Sequence, residues 1–186
     1  DQCRIVDVGD VDIVHTDMEK SHRNTYAAVS KILESGAMPV SIGGDHSVHA
    51  PIIEAFADKG PIHILHFDAH LDFVDERHGV RYGHGNPLRR ASEMNHIVGM
   101  TQMGIRNVSS SNRNDYDAAR AAGSNILSVR DVRRLGTQGV LDQIQQKSTN
   151  ILRQKSLQSI RKLTGQNTDL SIYLNMEYIP VFASFF

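Results

Sequence analysis

The stretch Pro61-Ile-His-Ile-Leu-His-Phe-Asp-Ala-His-Leu-Asp72 constrains the fold more than any other. It opens as an apolar run rich in β-branched and aliphatic residues, the pattern of a strand buried on both faces. It closes on three metal-capable side chains at alternate positions, Asp68, His70 and Asp72. If the backbone stays extended there, period-two spacing puts all three on one face. A strand buried on both faces needs covering layers on both sides, so the rest of the chain has to supply helices.

The flanking sequence supplies them. Arg4 to Val8 is a short β-rich run ending at Gly9-Asp10, and Thr16-x-x-Glu19 has capping-box spacing. Tyr26, Val29, Ile32 and Leu33 recur at helical spacing, with Gly36 as a C-terminal stop. Met38 to Ile42 reads as a strand broken by Gly43-Gly44, and Val48 to Phe56 as a helix that tolerates Pro51 in its first turn. The order up to Phe67 is therefore β-α-β-α-β with short connections, which predicts an α/β fold with a mainly parallel sheet. Beyond the polar, Gly-rich segment Phe73 to Arg90, we expect a helix from about Pro87 to Val98 and a strand over Thr101 to Arg106. An Ala-rich helix over Asn114 to Ala122 and a strand over Ile126 to Val129 follow. Asp131 is placed to cap a further helix, whose periodicity resumes at Val140 to Ile144.

At 186 residues the chain is one domain or a large piece of one. After Ile144 the composition shifts to Gln, Ser, Asn and basic residues, so 1–144 and 145–186 read as two different parts. A net charge of −1 and the absence of Trp give no footprint for nucleic acid, and no run has the apolar length of a membrane span. The single cysteine, Cys3, rules out an internal disulfide and points to a reducing, cytoplasmic setting. The first residues carry no signal-peptide pattern, and the chain reads as one entered part-way.

In a parallel sheet, ligands bind beyond the carboxyl ends of the strands. Two motifs fall there: Ser41-Ile-Gly-Gly-Asp-His-Ser47, whose Asp45 and His46 are expected to project into the crevice, and Asp68-Ala-His-Leu-Asp72. Carboxylates and imidazoles without cysteine suit a borderline divalent ion such as manganese, cobalt or zinc, and a shared carboxylate favours a two-metal centre. Gly83-His84-Gly85 lies in the next loop, as a proton shuttle or a plain surface histidine. His66 alternates with apolar residues and reads as core or as support for the site, and His49 falls on a first helical turn. His63 shares that alternation, and His15, His22, His78 and His96 read as surface. Asp115-Tyr-Asp117 is better explained as the capped first turn of a helix.

Gly43-Gly-Asp-His-Ser47, Asp68-Ala-His-Leu-Asp72 and Gly83-His-Gly85 occur in the order and approximate spacing of the ureohydrolases. That family contains arginase, agmatinase, guanidinobutyrase and formimidoylglutamase, and the resemblance runs from about Ile5 to Ile144, closest to the agmatinase and guanidino-acid branch. It implies a three-layer α/β/α fold, two Mn2+ ions and cytoplasmic polyamine or guanidino metabolism in a homo-oligomer. By motif match His46 and Asp72 would hold one metal, His70 the other, and Asp68 would bridge. A metal-bridging hydroxide would attack the guanidinium carbon of agmatine or a guanidino acid, giving urea and an amine, with His84 handling the proton. The substrate-binding residues are not identified.

The family's second Asp-x-Asp pair has no counterpart in Lys147-Ser-Thr-Asn-Ile-Leu152, and the nearest look-alike, Asn175-Met-Glu177, is followed by Ile179. The sequence therefore reads as a central ureohydrolase fragment with a divergent tail. An inactive fragment that serves as a binding or oligomerisation subunit is the alternative, and a metal-dependent deacetylase the third.

Overall fold

The computed structural model describes residues 4–164 and 181–183, and its account of side chains covers residues 4–146. Helix α1 (Met18–Glu34) comes first. A 3₁₀ turn, His46–Val48, leads into the short helix α2 (His49–Glu54), and a second 3₁₀ turn (Ala57–Lys59) precedes strand β1 (Ile62–Phe67). Helix α3 (Pro87–Ser92), strand β2 (Ile97–Ile105), helix α4 (Arg113–Ala121), strand β3 (Ser124–Ser128), helix α5 (Val129–Thr164) and strand β4 (Val181–Ala183) complete the order. The four strands form one parallel sheet in the order β3-β2-β1-β4.

The alternation of side chains along β1 divides the molecule into three layers. Ile62 and Ile64 face one side with Met100 of β2, and there they meet Val29 and Leu33 of α1, Ile52 and Ile53 of α2, Leu88 and Ala91 of α3 and Ala119 of α4. Leu65, Met103 and Leu127 face the other side and pack under Val132, Leu135, Val140 and Ile144 of α5. The sheet is thus covered on both faces, as its apolar sequence requires. Each fully buried side chain such as Ile64 contributes roughly 1.5–3 kcal/mol. Helix α5 is interrupted at Gly136, whose φ of 65° is outside the helical region. Among the described residues no helix is long and apolar enough to cross a membrane.

Several local expectations shift. The cap of α1 is Asp17, whose carboxylate accepts from the Lys20 amide at 2.8 Å, rather than Thr16. The buried stripe of α1 is Ser21, Thr25, Val29 and Leu33, in steps of four, and leaves Tyr26 outside. Helix α3 ends six residues earlier than its sequence suggests, and β2 begins where it was to continue. The acid-rich start of α4 is a capped first turn, as read, but its cap is Asn112, which forms a capping box with Asp115.

The larger correction concerns the first two expected strands. Residues 4–8 and 38–42 take no regular structure and join no strand ladder among the described residues. Their apolar side chains face outward, with Ile5 90% and Ile42 94% exposed. A strand needs a neighbour for its backbone N–H and C=O groups and a layer for its side chains. In the described sheet the free edge of β1 is taken by β4 instead. The look-alike at Asn175 to Ile179 lies outside the described residues.

Candidate metal centre

The carboxyl end of β1 is where the chemistry collects. The ladder outlasts the strand: Asp68 donates its amide to Met103 O at 3.0 Å, and Ala69 O accepts from the amides of Arg106 and Asn107. The chain then turns rather than staying extended, and Asp72 takes a φ of 50°, in the left-handed region that Asp tolerates better than most residues. The turn separates the three alternate side chains that the sequence would put on one face. Asp68 and Asp72 turn inward, whereas the His70 side chain remains 41% exposed.

The second motif arrives on a glycine pair. Gly43 and Gly44 both have positive φ, at 92° and 78°, which bends the backbone sharply into the 3₁₀ turn. His46 is delivered to the interior, with Nδ1 2.7 Å from Asp72 Oδ2 and 4.0 Å from Asp68 Oδ2. Asp45 does not project into the crevice as expected. It is exposed, and its carboxylate accepts from the Ser47 amide at 2.6 Å, capping the turn that carries His46.

One donor atom from each of His46, His66, Asp68 and Asp72 lies within 4.8 Å of all the others. Two buried carboxylates in such proximity repel each other unless a cation lies between them, and mixed oxygen and imidazole donors suit a borderline divalent ion. The donor set therefore fits a metal.

His66 reaches the group from the sheet itself. The Gln102 amide nitrogen donates to Leu71 O at 2.6 Å and lies 3.3 Å from His66 Nδ1, while the Ser124 hydroxyl donates to its oxygen at 2.7 Å. That amide orientation makes Nδ1 an acceptor and leaves the ring proton on Nε2, which faces Asp68 Oδ2 at 3.6 Å. His66 thus supports Asp68 in its carboxylate form, but it also stands among the four candidate donors, where the sequence reads it as core or support only. Burial alone would raise the Asp68 carboxyl, but the His66 ring and the His70 amide, with the His46 imidazole, hold it well below its ordinary value.

His70 stands outside the group of four and meets the other oxygen of Asp68: its Nδ1 is 3.1 Å from Oδ1 and its amide donates to Oδ1 at 2.7 Å. Its Nε2 lies 3.1 Å from the Asn107 amide nitrogen. His84 is exposed and also outside the group. Its loop is fixed by buried Asn86, which donates to Val74 O at 2.7 Å and accepts from the Gly83 amide at 2.9 Å. His49, read as a first-turn residue, begins α2 but turns its ring edge-on to His46, with the ring centres 4.2 Å apart. Burial, followed by the neighbouring His46 and His66 imidazoles, lowers its pKa to about 3 against an opposing pull from Asp68. Its participation could not be read from spacing, because position 49 is three residues on from His46 on a turn whose pitch the sequence leaves open.

Asp68 and His70 also border a cavity of about 730 Å³ between the ends of β1 and β2 and helix α5. Its walls are mainly apolar, including Val132, Val140 and Leu141, with Arg106 and Arg133 as its cations.

Residues 1–154 match the arginase family. The chain is 35% identical over 130 residues to the mitochondrial guanidino acid hydrolase of Homo sapiens, covering 68% of this chain and 37% of that one. Among solved structures, the proclavaminate amidino hydrolase of Streptomyces clavuligerus superimposes with a TM-score of 0.66 at 31% identity, over 76% of this chain and 47% of that one. Formimidoylglutamase of Bacillus subtilis gives a TM-score of 0.69 at 29% identity, over 80% and 46%. The chain spans less than half the length of each of these relatives.

Proposed function

The chain belongs to the arginase family, and from that premise we propose that it carries out the manganese-dependent hydrolysis of a small guanidino compound, agmatine or a guanidino acid, to urea and an amine. The observation that carries this reading is the convergence of His46, Asp68 and Asp72 at the carboxyl end of a parallel strand. When bound, manganese supplies the Lewis acid that makes water nucleophilic enough, at neutral pH, to attack a resonance-stabilised guanidinium.

In this reading His46 and Asp72 would hold one ion and His70 the other, and Asp68 would serve both. The opposed oxygens of Asp68 support that division, Oδ2 turned toward His46 and Oδ1 toward His70. The cavity bordered by Asp68 and His70 gives the substrate room to approach. His84, on the loop pinned by Asn86, gives a proton to the departing amine, a task an imidazole can perform. The unit 1–144 carries the chemistry and 145–186 forms a divergent tail. Homo-oligomeric assembly and a cytoplasmic setting belong to the same proposal.

Urea release tests it. With manganese added, the purified chain is expected to release urea from agmatine, 4-guanidinobutyrate or arginine, and to stop after chelation. No urea from any of them would sink the reading. One sequence observation favours the alternative of an inactive binding subunit: Lys147 to Leu152 contains no carboxylate to complete a second metal position. Elemental analysis giving at most one manganese per chain, together with no turnover, would select that alternative. Release of acetate from an acetylated amine would instead select a deacetylase.

A further inference from the structure

We propose that His49 is a positioning residue that fixes which nitrogen His46 offers to the metal. The inference rests on the metal-centre reading above. His46 has one nitrogen on each side of a divide: Nδ1 faces the carboxylates, 2.7 Å from Asp72 Oδ2, and Nε2 faces His49 Nδ1 at 2.8 Å. Both ring contacts are short, and His46 is 7% exposed, so water does not readily replace either one.

An imidazole that binds a cation through Nδ1 must present a lone pair there, which places its proton on Nε2. That proton points at His49. A buried N–H without an acceptor is unfavourable, so an acceptor at this position favours the ligating tautomer and holds the ring in place. His49 Nδ1 is that acceptor, with the His49 proton on its own Nε2. The two rings pack edge-on, with 84° between planes and their centres 4.2 Å apart, which keeps the two nitrogens in contact. His49 itself contributes no atom to the group of four that could hold the ion.

The test compares two substitutions that differ in the acceptor. Asn places a side-chain oxygen near the position of Nδ1, whereas Leu fills similar space without an acceptor. Binding of Mn2+ is read from the free-ion electron paramagnetic resonance signal, which requires no turnover. Metal-free thermal unfolding checks that both variants fold. His49→Leu is expected to weaken manganese binding about 10- to 100-fold, and His49→Asn to stay within a few-fold of wild type. Equal affinities for the two variants, whether both kept or both lost, would overturn the inference, as would a wild-type chain that binds no manganese. A wild-type chain that binds manganese and shows the expected Leu/Asn difference, yet releases no urea, would sink the proposed reaction and leave this assignment standing.

Discussion

Asp68 is the residue on which the site turns. One of its oxygens faces His46 and His66, and the other accepts from the His70 amide. Asp68→Ala should therefore abolish manganese binding, and unchanged binding would mean that the centre lies elsewhere. His63 offers a prediction independent of metal. It lies in β1 on the α5 side, 3.0 Å from the Thr101 hydroxyl, and burial lowers its pKa from 6.5 to about 4. The folded state resists a proton that the unfolded chain accepts. Its contribution is complete above pH 6.5, is lost as pH falls toward about 4, and levels off below that. The loss across the window is on the order of 3 kcal/mol. Urea unfolding at pH 7.5 and pH 4.5 should show a smaller stability difference for His63→Gln than for wild type. Equal differences would refute the assignment. Only the types of these residues were legible in the sequence. Their protonation preferences follow from partners far along the chain, such as Gln102 for His66, 36 positions away.

At the scale of elements, the site depends on how closely β2 approaches the end of β1. Gly104 has a φ of 88°, and a Cβ there would sit 3.1 Å from Asp68 O. Gly104→Ala would strain the backbone and press on the main chain of Asp68. The expected cost is about 1–3 kcal/mol, read as a lower urea midpoint. Manganese binding should weaken at the same time, because Asp68 is displaced. A stability loss with unchanged affinity would show that the contact does not reach the carboxylate. The sequence marks β1 well and the carboxyl-terminal parts of β2 and β3, because their apolar runs are buried by the helices that the spacing also indicates. It misplaces the end of α3, since Glu93 to His96 carries a helical pattern that continues no further in the structure.

For the molecule as a whole, the two irregular segments at 4–8 and 38–42 present apolar side chains to solvent, including Val8, Val40 and Ile42. Parts of both line one groove beside α1. Exposed, unpaired, β-rich segments are templates for pairing between chains. The double substitution Ile5→Lys and Ile42→Lys should raise the concentration at which the purified chain aggregates. It should leave the unfolding free energy within about 0.5 kcal/mol, as for other surface changes. A large stability loss would mean that these side chains are buried in solution.

The sequence by itself determined the donor types, the glycine pair that bends the chain into His46, the strand that ends at Asp68 and the family. Each is local chemistry or a motif carried in consecutive residues. Tertiary structure decided which donors meet. Asp72 swings inward because the backbone turns left-handed, while His70 is left on the far oxygen of Asp68. His49 comes to lie behind His46 because a 3₁₀ turn runs directly into α2. Whether an apolar run becomes a strand was decided there too, since a ladder requires a neighbour that no run can supply for itself.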